Sequence, residues 1–143
     1  MSKIKKNNDL SMKMVQADLI MVRNVLQGKE DDKVIAKYLR AESAYHLQQA
    51  AEKLIKIQIY SAGIKVNHSK MYKHSLVSLI QYAQSENIVL NIPKIVVSNA
   101  QLITDWEALG RYEIHLVVRT DTLNKFYNAI EEWYKDMYDD GFR

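Results

Sequence analysis

Ala44-Tyr45-His46-Leu47-Gln48-Gln49-Ala50-Ala51-Glu52-Lys53-Leu54-Ile55-Lys56 sits inside a stretch, Lys29 to Ala62, that contains no glycine or proline. Leu47, Ala50, Ala51, Leu54 and Ile55 recur at steps of three, one, three and one, so they share one face of a helix. Ile35 and Leu39 extend that stripe upstream, and Glu42, Ser43 and His46 interrupt it. The alanines favour helix and allow close packing of a neighbour. The reading is one long helix, about 32–62, with Asp31 or Asp32 as its cap and Gly63 as its stop.

Outward from this helix the same period recurs. Upstream, Met12, Val15, Leu19, Val22 and Leu26 predict a helix from Asp9 to Gln27, capped by Asp9 or Ser11 and ended by Gly28. Downstream, a loop from Ile64 to Met71 precedes a third helix at 72–86, with Leu76, Leu79, Ile80 and Ala83 inward. Pro93 suits the first turn of a fourth helix reaching Leu109, with Val96, Ala100, Ile103 and Trp106 on one face. Its β-branched Ile95-Val96-Val97 also admits a short strand. After a connecting segment, 110–120, a fifth helix runs from about Asp121 to Tyr138. Its stripe is Leu123, Phe126, Tyr127, Ile130, Trp133, Tyr134, Met137 and Tyr138, wide enough to pack on two neighbours. Five amphipathic helices with mostly short connections predict an all-α, five-helix bundle with antiparallel neighbours, one domain over 1–143. The ends, about 1–8 and 139–143, are expected to fray.

Composition sets outer limits on function. The chain has 143 residues, 48% hydrophobic and 26% charged, as a folded domain does. It has no cysteine, which excludes disulfide scaffolds, zinc ribbons and thiol catalysis. No apolar run approaches the roughly 18 residues a bilayer span needs. The N-terminus is basic but lacks the apolar stretch of a secretory signal, so a cytoplasmic location is expected. A net charge of +3 permits a nucleic-acid partner without requiring one.

The segment most able to carry chemistry is Gly110-Arg111-Tyr112-Glu113-Ile114-His115-Leu116-Val117-Val118-Arg119-Thr120. A guanidinium grips phosphate through parallel hydrogen bonds, and an imidazole moves protons near neutral pH. Arg111 and His115 are therefore the candidate catalytic pair, with Tyr112 and Arg119 beside them. The alternative is structural: Arg111 caps the preceding helix, and Ile114, Leu116 and Val118 line the core. His46 lies on a mixed helix face and suits a hydrogen-bonded, partly buried role. Arg40 and His46, six apart, point about 240° apart around the axis and do not act together. His74 suits a cap, a packing residue or a ligand. Lys53, Lys56, Lys65, Lys70 and Lys73 form either a basic patch or a solvated face. No His-Glu-x-x-His spacing, phosphate-cradling glycine loop or nucleophile elbow occurs, so no metal or other cofactor is expected. Nine tyrosines are many for this length; core and rim packing accounts for them, and an exposed rim would suit a dimer.

The run Tyr45-His46-Leu47-Gln48-Gln49-Ala50-Ala51-Glu52-Lys53-Leu54-Ile55-Lys56 resembles the signature helix of the HEPN family, the higher eukaryotes and prokaryotes nucleotide-binding domain. Lys73-His74-Ser75-Leu76-Val77-Ser78-Leu79-Ile80 is similar to the start of that family's third helix, and Arg111-Tyr112 to a pair before its last helix. The resemblance covers about 11–137. It implies an up-and-down helical bundle that forms a homodimer and binds nucleotide or RNA. It further implies a toxin–antitoxin setting with a nucleotidyltransferase partner, or metal-independent RNA cleavage by an Arg and a His that meet their counterparts across the dimer. On this pattern Arg111 and His115 are the catalytic residues, and Arg111, Tyr112, Arg119, His74 and Lys53 bind RNA or nucleotide. Three residues separate Arg111 from His115, where the family's nucleases carry four to six. That spacing suits the competing reading, a non-catalytic dimeric interaction module.

Overall fold

The computed structural model describes residues 10–110 and 117–143. Among these the fold is all-α, with about five substantial helices packed together and no strand. The elements are α1 (Met12–Gln27), α2 (Lys33–Ser61), α3 (His68–Met71), α4 (Leu76–Ser85), α5 (Lys94–Ser98), α6 (Ala100–Asp105), a 3-10 helix (Trp106–Gly110) and α7 (Thr120–Asp139).

The helix at 32–62 organises the rest. Its 29 residues make a rod about 43 Å long, and α1, α4, α6, the 3-10 helix and α7 all pack against it. Asp32 caps it, accepting from the N–H groups of Val34 and Ile35 at 2.9 and 3.1 Å. Past Ala62 the chain turns through Gly63 at φ +76°, a conformation that a side chain disfavours. Ala44, Leu47, Ala50, Ala51, Leu54 and Ile55 are fully buried. The stripe does not reach the first turns. Val34, Ile35 and Tyr38 are exposed and Leu39 is half-buried, so Ile35 is no core residue.

α1 and α7 follow their periodicity closely. Ser11 caps α1, and Met12, Val15, Leu19 and Val22 are buried. On α7, Leu123, Phe126, Tyr127, Ile130, Trp133 and Met137 are buried, Tyr134 sits at the rim and Tyr138 faces solvent. Burial of each large apolar side chain contributes about 1.5–3 kcal/mol. Phe126 meets Trp106 edge-on, with centroids 5.4 Å apart, which ties α7 to the 3-10 helix. Residues 140–143 fold back on the bundle. Gly141, at φ +106°, closes α7 with hydrogen bonds from its own N–H to Tyr138 O and from Phe142 N–H to Met137 O. The Arg143 carbonyl then accepts from Met12 N–H at 2.8 Å.

Two expected helices depart from their expected bounds: the third starts later, after an extra turn in the expected loop, and the fourth is divided. The third begins at Leu76 because the Ser75 side chain caps it, accepting from Ser78 N–H at 3.1 Å. Upstream, Asn67 starts the separate turn α3 by accepting from the N–H groups of Ser69 and Lys70. The fourth is broken into α5, α6 and the 3-10 helix. Asn99 stands at the first break (φ −118°), its side chain donating to Ile95 O at 2.8 Å and competing with the backbone ladder. The β-branched run is helical all the same, and Val96, Ala100, Ile103 and Trp106 are buried as their spacing requires. Among the described residues no helix is long and apolar enough to cross a membrane.

Candidate functional site

The interruptions of the α2 stripe carry a buried polar network. Asp18 of α1, itself buried, accepts from Lys53 Nζ at 2.6 Å through Oδ2, and its Oδ1 lies 2.8 Å from His46 Nδ1. His46 and Lys53 are two turns apart on α2, which lets one carboxylate reach both. A step around the axis, Gln48, Glu52 and Lys56 form an i, i+4, i+8 column. Glu52 Oε1 accepts from Gln48 Nε2 at 2.9 Å, and Oε2 accepts from Lys56 Nζ at 2.8 Å. His74 completes this half: its Nδ1 lies 3.2 Å from Glu52 Oε1, and its backbone carbonyl accepts from Gln48 Nε2 at 3.1 Å. Gln49 joins the column by donating to Gln48 Oε1 at 2.7 Å.

The electrostatics of this arrangement are balanced. Two carboxylates face two ammonium groups, so little net positive charge remains to draw in a phosphate. Glu52, Gln48, Asp18 and Lys56 are nearly inaccessible, and buried carboxylates persist only when paired and hydrogen-bonded. The network therefore sets register between α1, α2 and the start of α4. His74 is the exception. Glu52 orients its ring while more than half of the side chain (54%) is open to solvent, leaving Nε2 available for a ligand or a proton.

Arg111, Tyr112 and His115 lie outside the described residues. The described flanks of their segment line a cleft of about 580 Å³ walled by Leu102, Trp106, Glu107, Val117 and Val118. Beside this cleft Arg40 of α2 donates from Nε to Val118 O at 3.0 Å. Arg40 and His46 thus serve different neighbours, as their angular separation requires. Arg119 stands exposed before α7, 3.7 Å from Asp121. Lys53 and His74 serve different neighbours, Lys53 pairing with Asp18 of α1 and His74 with Glu52 one step around α2. The described residues hold no cluster of three or more His, Asp or Glu side chains able to bind a metal ion.

Sequence reasoning missed Asp18, and it missed that Glu52 and Lys56 are inward. The available signal was charge at core-facing positions of two helices already expected to pack together. No protein-family model, curated protein or solved structure matches the chain.

Proposed function

We propose that the chain is a HEPN-like up-and-down bundle, acting as a homodimer, that binds RNA or nucleotide. The observation that carries this reading is the junction of Gln48 and Glu52 with His74. The two sequence elements behind the resemblance lie over twenty residues apart, yet they meet as partners in one network. Arg111 holds phosphate, and Tyr112, Arg119 and His74 add grip. Lys53 is left out of the grip, since its ammonium is engaged by Asp18.

In the catalytic form of this reading, the 2′-hydroxyl of RNA attacks the adjacent phosphorus. A new P–O2′ bond forms and the P–O5′ bond breaks. His115 is the proton-transfer group, and Arg111 offsets charge on the phosphoryl oxygens. The products are a 2′,3′-cyclic phosphate and a 5′-hydroxyl, with no metal involved. A nucleotidyltransferase partner and a toxin–antitoxin role belong to the same reading.

The second reading is a non-catalytic interaction module. The exposed apolar turn of α2 (Val34, Ile35, Tyr38) favours it, as does the short Arg111–His115 spacing. Incubation of the full chain with RNA in chelator separates the two. The catalytic form gives cyclic-phosphate ends, lost in Arg111→Ala and His115→Ala. Intact RNA with Arg111-dependent binding leaves the binding form alone. Neither cleavage nor binding leaves the interaction module.

A further inference from the structure

Between Glu52 and Glu86 the chain carries five lysines and two histidines and not one carboxylate. This window more than accounts for the net charge of +3. Lys53 and Lys56 turn inward to Asp18 and Glu52. The remaining charges gather on the connection from α2 to α4, where Lys65, His68, Lys70, Lys73 and His74 are all exposed. None of Lys65, Lys70 and Lys73 pairs with a described carboxylate. Among them stands Tyr72, 79% exposed.

The connection is firmly built. Met71 is buried beneath it. Asn67 donates its N–H to the Tyr82 hydroxyl at 2.7 Å and caps α3 with its side chain. Tyr72 N–H closes the turn on His68 O at 3.0 Å. Tyr72 also has aromatic company. Burial first, then the nearby hydroxyls of Tyr72 and Tyr82, push the ionisation of Tyr60 up. The outcome is a built connection that contributes no carboxylate of its own and exposes a ring in the same short segment as three lysines.

We infer that the α2–α4 connection is a docking surface for single-stranded nucleic acid, with a base stacked on Tyr72 and backbone phosphates on Lys65, Lys70 and Lys73. The charge selects a polyanion, and the exposed ring selects one that carries unpaired aromatic faces. A duplex hides those faces, and an acidic polypeptide lacks them. The inference shares with the function proposed above the class of ligand and the neighbourhood of His74. It rests on residues far along the chain from Arg111 and His115, so either can fail without the other.

The test is fluorescence anisotropy of a short labelled oligouridine with the full chain, across a salt series. Tyr72→Ala should weaken binding roughly tenfold or more, while Tyr72→Phe retains it. Lys70→Ala with Lys73→Ala should flatten the log–log salt dependence by about 1.4. Arg111→Ala and His115→Ala, run in parallel, report on the other segment. Thermal unfolding of each variant verifies that the fold is kept, as it should be for side chains this exposed. Binding that ignores Tyr72, equal competition by polyaspartate, or no binding by the parent chain would each overturn the assignment.

Discussion

Lys53 Nζ lies 2.6 Å from Asp18 Oδ2, so this lysine of α2 is tied to α1. Both side chains are largely buried. Removing either one strands the other charge in a poorly solvated place. Asp18→Asn should cost about 2–3 kcal/mol in urea unfolding, somewhat less than a fully enclosed pair would. Lys53→Met should cost less than Asp18→Asn, and the double variant less than the sum of the two. RNA affinity should stay level in Lys53→Met. Strictly additive losses would show that the pair is not coupled.

Glu52 uses both oxygens, toward Gln48 and His74 on one side and Lys56 on the other. Glu52→Gln keeps the volume but replaces an acceptor with an amide donor facing Lys56. It should destabilise the chain by about 2–4 kcal/mol and loosen the connection that presents Tyr72. Amide hydrogen exchange over residues 67–75 reads that loosening directly. Unchanged exchange there would disconnect the network from the surface above it.

Asn87 closes α4 at φ +59°, with its own N–H on Gln84 O and the Ile88 N–H on Ala83 O. This is the left-handed closing position that glycine occupies most easily. Asn87→Gly should hold or raise the thermal midpoint, and Asn87→Ala should lower stability by about 1 kcal/mol.

The Tyr127 hydroxyl donates to Glu131 Oε2 at 2.5 Å, and burial followed by this bond raises its pKa from 10.0 to about 12. The neutral phenol is the form the fold prefers. Below the unfolded value both states are protonated and stability is at its full level. Between pH 10 and about 12 the unfolded chain releases this proton first, so stability falls as pH rises. Unfolding followed from pH 9 upward should show that decline, and Tyr127→Phe should make it shallower. An identical decline in the variant would place its origin elsewhere.

Amphipathic helices were legible because their period was unbroken: Met12 to Val22 and Leu123 to Met137 each declare a single buried face. The division at Asn99 was not legible, since a side chain turning back on Ile95 O looks from the sequence like an ordinary polar position. Ile35 matched the stripe by spacing, but α2 outruns the helices that would cover its first turns. The polar network was hidden for a related reason. Glu42, Ser43 and His46 read as gaps in a hydrophobic stripe, whereas the partners that explain His46, Gln48 and Glu52 sit on α1 and before α4, far away in sequence. Lys65, Lys70 and Lys73 were open to two readings until the fold turned Lys53 and Lys56 inward and left the other three at the surface.

The most direct measurement is the affinity of the full chain for single-stranded RNA, titrated in chelator at low salt and again at rising salt. Saturable binding that weakens steadily with ionic strength, and that falls further when Arg111 is replaced by alanine, is the expected result. No association at low salt and high protein concentration, or binding indifferent to both salt and Arg111, would contradict a phosphate-recognising role for this bundle.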